Sequence, residues 1–323
     1  MYNENELEKI RNDNFSKILG TIRSNKVCSA SQIAESTSIG LTTVKKCIDE
    51  GVFENMILTE KTAASTGGRK AQLYALNADY QYYLMIITDN NNLICGIYDF
   101  NKKVVKEIKA AFAMNEYLVK VDEIIEKTIA EYPLGTVLLS VPCVIKNGVI
   151  IDWYYNNKLN NTDIKAYLSS KFNLNFIIYN DMKLSVYGAA CNQKIFDKNL
   201  VTAQFGHNGI GVGEMVNGNV LDGASGFAGE VGYIQDIRKN IMSTSYLAKI
   251  IRSVIICINP QLIVFYNSDR QNNFKKIAEE ATRGLPLYAI PKYIVSDRYF
   301  DDIKTGCFKL AEKNGFFKKG NLK

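Results

Sequence analysis

With 323 residues, 47% of them hydrophobic, the chain can bury a large core in two or three domains, and its composition argues against disorder. No run approaches the roughly 18 apolar residues of a membrane span, and the polar start MYNENELEKIRNDN lacks the apolar stretch of a signal peptide. The net charge of +6 is poor evidence for nucleic acid, because residues 1–80 carry ten basic and ten acidic side chains while Lys304–Lys323 carries six lysines and one glutamate.

Local pattern says more than global charge. In residues 12–24, Phe15, Ile18, Leu19 and Ile22 share one helix face. In "SASQIAESTSIGLTTVKKCIDEG", Ser29 is placed to cap a short helix with Ile33 and Ala34 inward, and a turn follows with a buried Ile39. A second helix is expected over 41–50, with Leu41, Val44 and Ile48 inward and Gly51 in the left-handed position after its end. This is the pattern of a helix-turn-helix. Its outward residues are Thr42, Thr43, Lys45, Lys46 and Asp49. Thr42 and Thr43 stand where base edges are read, and Lys45 and Lys46 where phosphates are met. The stretch "VFENMILTEKTAASTGGRKAQLYALN" then reads as strand, tip, strand, a wing whose Arg69 and Lys70 suit a minor groove. The expected partner is a double-stranded operator bound by a symmetric homodimer; a small helical domain for protein contacts is the competing reading.

Beyond residue 80 strands and helices alternate. The runs YYLMIIT, NLICGIYD, VVKEIKAAFA and TVLLSV precede a helix over 162–172, the strand FIIY and a helix over 182–192. The pattern restarts at LVTAQF and ends in a helix near 303–314. The fold class is α/β, with two mixed-sheet halves and ligands expected in the crevice between them. The expected domains are 1–78, 79–198 and 199–302, with a helix at about 303–323 returning to the first lobe. Three constellations fall at strand ends. "IIYNDMK" presents Asn180 and Asp181, suited to a polyol or to capping the following helix. "FGHNGIGVGEMVNG" alternates glycines, suited to phosphate or to tight strand packing. "GASGFAGEVGYI" sets Glu230 among small residues, as a ligand clamp or as an acid in a helix's first turn.

Taken in order, the winged helix, the strand-Asn-Asp-helix, the alternating glycines and "NGNVLDGASGFAGEVGY" resemble the ROK family of sugar-responsive repressors and sugar kinases. "SVPCVIKNGVI" and "NPQLIVF" are similar to two further family elements. The resemblance implies a two-lobed actin-like, ribonuclease H-like ATPase or sugar-kinase fold. It places Asn180, Asp181 and Glu230 on sugar contacts and Asp181 on the kinases' general-base position. It also brings departures. The Asp-x-Gly-Gly-Thr phosphate turn aligns with Ile87-Thr88-Asp89-Asn90-Asn91, His207-Asn208 replaces Gly-Thr, and Tyr266-Asn267 replaces a Gly-Gly near adenine. Phosphoryl transfer is almost all positioning and electrostatics, so these losses predict no kinase activity, and no cofactor is expected. Tyr233 stands at a sugar-contacting position where the family keeps a zinc-bound histidine, and "IQDIRKNIMSTS" has no cysteine. With a single histidine, His207, no metal is expected. Seven scattered cysteines predict reduced thiols in a cytoplasmic protein. The sequence therefore reads as a DNA-binding regulator, a repressor of carbohydrate genes, with a sugar or sugar phosphate as effector. The alternatives are a regulator whose cleft has lost sugar binding and serves dimerisation or another ligand and, behind it, an active sugar kinase.

Overall fold

The computed structural model describes residues 4–60, 71–195, 197–206, 209–234, 243–267 and 273–313. Helix α1 (Glu4–Asn25) buries Phe15, Ile18, Leu19 and Ile22, the four residues that share its apolar face. Strand β1 (Cys28–Ser29) leads into α2 (Ala30–Thr37). That helix starts with a reciprocal capping box: Gln32 N donates to Ser29 Oγ at 3.3 Å and Ser29 N donates to Gln32 Oε1 at 2.8 Å. Helix α3 is longer than its pattern suggests, running Leu41–Phe53. Gly51 lies inside it rather than after it, because Ile57 packs where a Cβ would stand, with Cγ1 2.9 Å from that position. The left-handed turn falls instead at Asn55, φ 59°. Leu41, expected inward, is 41% exposed, since it sits at the helix end beyond the cover of the core, and Cys47 joins Val44 and Ile48 on the buried face. Strands β2 (Ile57–Glu60) and β3 (Leu73–Leu76) complete a three-stranded antiparallel sheet in the order β1-β3-β2. The wing tip, with Arg69 and Lys70, lies outside the described residues.

The rest of the chain builds the same topology twice. In the first lobe, β4 (Tyr82–Asp89), β5 (Asn92–Tyr98) and β6 (Val104–Ala111) form an antiparallel meander. Helix α4 (Tyr117–Glu131) crosses to β7 (Leu134–Val141), which pairs parallel with β4. A hairpin of β8 (Val144–Lys146) and β9 (Val149–Asp152) and helix α5 (Ile164–Lys171) lead to β10 (Asn175–Asn180), parallel to β7. After α6 (Asp181–Gln193), β11 (Leu200–Gly206), β12 (Gly209–Val216) and β13 (Asn219–Val220) form a second meander. Helix α7 (Thr244–Ile258), β14 (Leu262–Tyr266), α8 (Phe274–Thr282), β15 (Lys292–Ser296) and α9 (Tyr299–Lys313) complete it. The two sheets read β6-β5-β4-β7-β10 and β13-β12-β11-β14-β15, a meander followed by two parallel additions on its first strand in both cases. Every residue of β7 is buried, as a parallel strand covered on both faces requires.

Helices α6 and α9 lie together between the sheets, with their backbones almost touching. A Cβ on Gly188 would run into Asp302 O, and one on Gly306 into Leu184 O. Phe308 of α9 packs edge-on against Tyr83 and Tyr98 of the first lobe, with ring centroids 5.8 and 5.2 Å apart. One buried cluster runs without a break from Phe15, Ile18 and Ile57 of the winged helix, through Tyr83 and Phe100, to residues of α6 and α9.

Candidate functional site

Strand β10 ends in the cleft, and the polypeptide turns there into α6. Asn180 caps that helix: its Oδ1 accepts from Lys183 N at 3.0 Å and its Nδ2 donates to Cys143 O at 3.0 Å. Its amide therefore holds the strand end to the loop after β7. Asp181, half-buried, is the first helical residue. Its Oδ2 accepts from Tyr299 OH at 2.8 Å and its Oδ1 from Met182 N at 2.8 Å. Burial pushes the Asp181 carboxyl up to about 6; the Tyr299 hydrogen bond works the other way, and the charge of Asp89 adds to the rise. Glu230 precedes a one-turn 3-10 helix (Val231–Tyr233). Burial pushes it up to about 7, helped by the charges of Asp181 and Asp152 and opposed by Lys183. Among the described residues, no hydrogen bond is made to its carboxylate. Two acids that ionise reluctantly can both accept from hydroxyls and, when protonated, donate to them, which is the chemistry a polyol needs.

The glycine-rich loop is held by an ammonium. Lys183, 2% exposed, donates from Nζ to Gly226 O at 2.6 Å and to Asp222 O at 3.4 Å. It also pairs with Asp222 Oδ1 at 3.2 Å, which accepts from Tyr179 OH at 2.6 Å. Gly229, at φ 88°, lies so close to β12 that a Cβ would strike Val212 O. The loop is small because its backbone is pressed between β12 and the β8–β9 hairpin, and this sets Glu230 at the edge of the cleft.

Tyr233 is 57% exposed, and its hydroxyl donates to Asp152 Oδ2 at the end of β9. Asp152 in turn accepts from Asn160 Nδ2 at 3.1 Å. A second polar bridge, Lys146 Nζ to Gly223 O at 3.2 Å, joins the same hairpin to the same loop. The phenol thus ties the second lobe to the first, with Phe227 packed on it at 5.0 Å. Asn180 and Asp181 stand together where β10 turns into α6, the charge of Asp181 reaches Glu230, and Tyr233 follows Glu230 in the same loop. Sequence reasoning missed Tyr179, Lys183, Asp222, Asp152 and Tyr299. Lys183, a lysine amid the apolar and small residues of "NDMKLSVYGAA", carries the only local signal; Tyr299 is distant in the chain and carries none.

The Tyr233 phenol is engaged with Asp152, and among the described residues no cluster of three His, Cys, Asp or Glu groups is arranged for a metal. Asn90 and Asn91 close a tight β4–β5 hairpin. Asp89, on the same face as Ile87, puts an acid two residues beyond the aligned position, and its charge reaches Asp181. Tyr266 is fully buried and donates to Asp302 Oδ2 at 2.7 Å. A Cβ on Gly213 would meet Met182 O, so that glycine serves contact between strand and helix. His207 and Asn208 lie outside the described residues.

On the winged helix, Thr42, Thr43, Lys45, Lys46 and Asp49 are all exposed on α3. A surface groove is lined by Thr42, Lys45, Lys46, Asp49, Glu50 and Phe53. Phe53 is 85% exposed, an apolar group that the sequence reading did not single out. Arg11 of α1 donates to both Glu50 oxygens at 2.8 Å, fixing the angle of α3 on α1.

A winged helix joined to two lobes of repeated topology defines an actin-like fold with a helix-turn-helix at its start. The chain resembles the ROK family, whose model matches residues 91–243. It is 23% identical over 238 residues to the xylose repressor of Bacillus spizizenii, covering 70% of this chain and 61% of that one. It is 27% identical over 233 residues to the xylose repressor of Caldicellulosiruptor bescii, covering 67% and 57%. The chain thus spans about three fifths of these relatives' length. In fold, it matches the crystal structure of a ROK family transcriptional regulator, a homolog of the E. coli MLC protein. The TM-score is 0.74 at 15% identity, over 95% of this chain and 98% of that one. A protein from Listeria monocytogenes described as a putative N-acetylmannosamine kinase matches at 0.59 with 13% identity, over 74% and 100%. Among the described residues, no helix is long and apolar enough to cross a membrane.

Proposed function

We propose that the chain is a DNA-binding transcriptional repressor whose cleft senses a sugar and carries out no phosphoryl transfer. The observation that carries this reading is the pairing, in one continuous fold, of the exposed Thr42, Thr43, Lys45 and Lys46 face with a cleft holding Asp181 and Glu230. Thr42 and Thr43 contact base edges, and Lys45 and Lys46 contact phosphates, with Arg69 and Lys70 of the wing in the minor groove. The winged helix spans 1–78 and the lobes 79–198 and 199–302, with the C-terminal helix returning to the first lobe. A homodimer presents two winged helices to a two-fold operator. Names of the relatives make D-xylose the first sugar to test. The kinase reading is disfavoured by the buried Tyr266 and by a hairpin of asparagines at the phosphate turn, although Asp181 is in place.

Calorimetric titration of the full chain with D-xylose, D-glucose, D-mannose and their phosphates tests the sensor. Binding by one of them, weakened about 10-fold or more in Asp181→Asn and Glu230→Gln, is the expected result. One observation favours a second reading, a cleft that no longer takes sugar. The Tyr233–Asp152 and Lys146–Gly223 bridges join the lobes through the protein's own polar groups. A melting temperature unmoved by every sugar supports that reading and overturns the first.

A further inference from the structure

We infer that α9 is the element through which the cleft and the DNA-binding domain are coupled, with Tyr299 as the positioning residue at one end and the Glu312–Arg23 contact at the other. The inference rests on the proposed function for its biological meaning, but not for its test. Tyr299, the first residue of α9, donates its hydroxyl to Asp181 at 2.8 Å. Some 20 Å along a helix of 15 residues, Glu312 accepts from Arg23 Nη1 at 3.4 Å, from Lys309 at 3.1 Å and from Lys102. Arg23 belongs to the last turn of α1, the scaffold helix of the winged domain. Its Nη2 donates to Phe100 O at 3.2 Å, and its guanidinium lies 5.8 Å from the centre of the Phe100 ring.

Three features make α9 move as a unit. It is pressed against α6 at Gly188 and Gly306 with no room for a Cβ, so the pair cannot bend apart locally. Its first turn is also fixed by Asp302, which accepts from Tyr266 OH at 2.7 Å and from Asn192 Nδ2 at 2.6 Å. Its outer half carries Phe308 into the aromatic cluster of Tyr83 and Tyr98. At the far end the grip is incomplete. Arg23 Nε is buried with no partner among the described residues, and Arg23 is held by a 3.4 Å ion pair and one carbonyl. A half-buried cation so loosely satisfied is displaced by a small shift of its carboxylate. A ligand hydroxyl that donates to Asp181 competes with Tyr299 for the same oxygen, and losing that tether leaves the first turn of α9 held by Asp302 alone. The shift then reaches Arg23 through Glu312, and the winged domain, whose core is continuous with that of α9, follows.

Amide hydrogen exchange on the full, ligand-free chain tests this. Tyr299→Phe removes only the hydroxyl, and Asp181→Asn, a second variant, weakens the same tether. Both are expected to speed exchange of the α1 amides near Arg23 about fivefold or more, with α8 unchanged as a control. By reciprocity, Glu312→Gln speeds exchange at the start of α6. If α1 exchange is unchanged in both cleft variants while Glu312→Gln alters it, α9 does not couple the ends and the inference fails. A sugar titration with no binding would instead sink the proposed function and leave this result standing.

Discussion

At the residue scale, the cleft is built from groups that are uncomfortable when charged. Glu230 is half-buried, its carboxylate accepts no hydrogen bond from another described residue, and the charges of Asp181 and Asp152 act on it. Its folded-state value, about 7, lies above that of the unfolded chain. The proton it keeps therefore stabilises the fold fully below about pH 4, and that contribution is lost as pH rises through about 7. Glu230→Gln stays neutral throughout and should gain on the native protein between pH 5 and pH 8, by about 1–3 kcal/mol in urea unfolding. An equal difference at both pH values would show that Glu230 is not desolvated. Lys183 supplies the opposing charge, and its ammonium answers two carbonyls and one carboxylate of the glycine loop. In this chain, that buried cation anchors the loop that presents Glu230.

At the element scale, the contact of α6 with α9 decides how the molecule holds together. Gly306→Ala would help an isolated helix by about 1 kcal/mol. Here the new Cβ meets Leu184 O, so the sign reverses, and a net loss of about 1–3 kcal/mol is expected in denaturant unfolding. A stabilised variant would mean that the two helices are less closely packed. Much at this scale was legible in the sequence. The Ser29 cap, the Phe15–Ile22 stripe and the apolar run TVLLSV each announce their element by local chemistry. The end of α3 was not legible, because Gly51 reads as a stop signal, and only the packing of Ile57 shows why a glycine is wanted inside the helix. Cleft residues divide in the same way. Asp181 and Glu230 follow strand and glycine signals nearby in the chain, whereas Tyr299 reaches Asp181 across 118 positions.

At the scale of the whole molecule, one topology used twice creates a cleft, and α9 lies between that cleft and the winged helix. The polar bridges of Tyr233 and Lys146 hold the two lobes together on one edge, so a ligand acts by changing contacts that already exist. Under the proposed function, DNA affinity and sugar binding are two readings of a single equilibrium. The most direct test is to select duplexes from a random pool with the full chain and measure affinity for the selected duplex with and without saturating D-xylose. The account predicts a site with two related halves and a change in affinity of about fivefold or more with the sugar, a change lost in Asp181→Asn. Sugar bound by calorimetry with no change in DNA affinity, or no duplex selected at all, would contradict it.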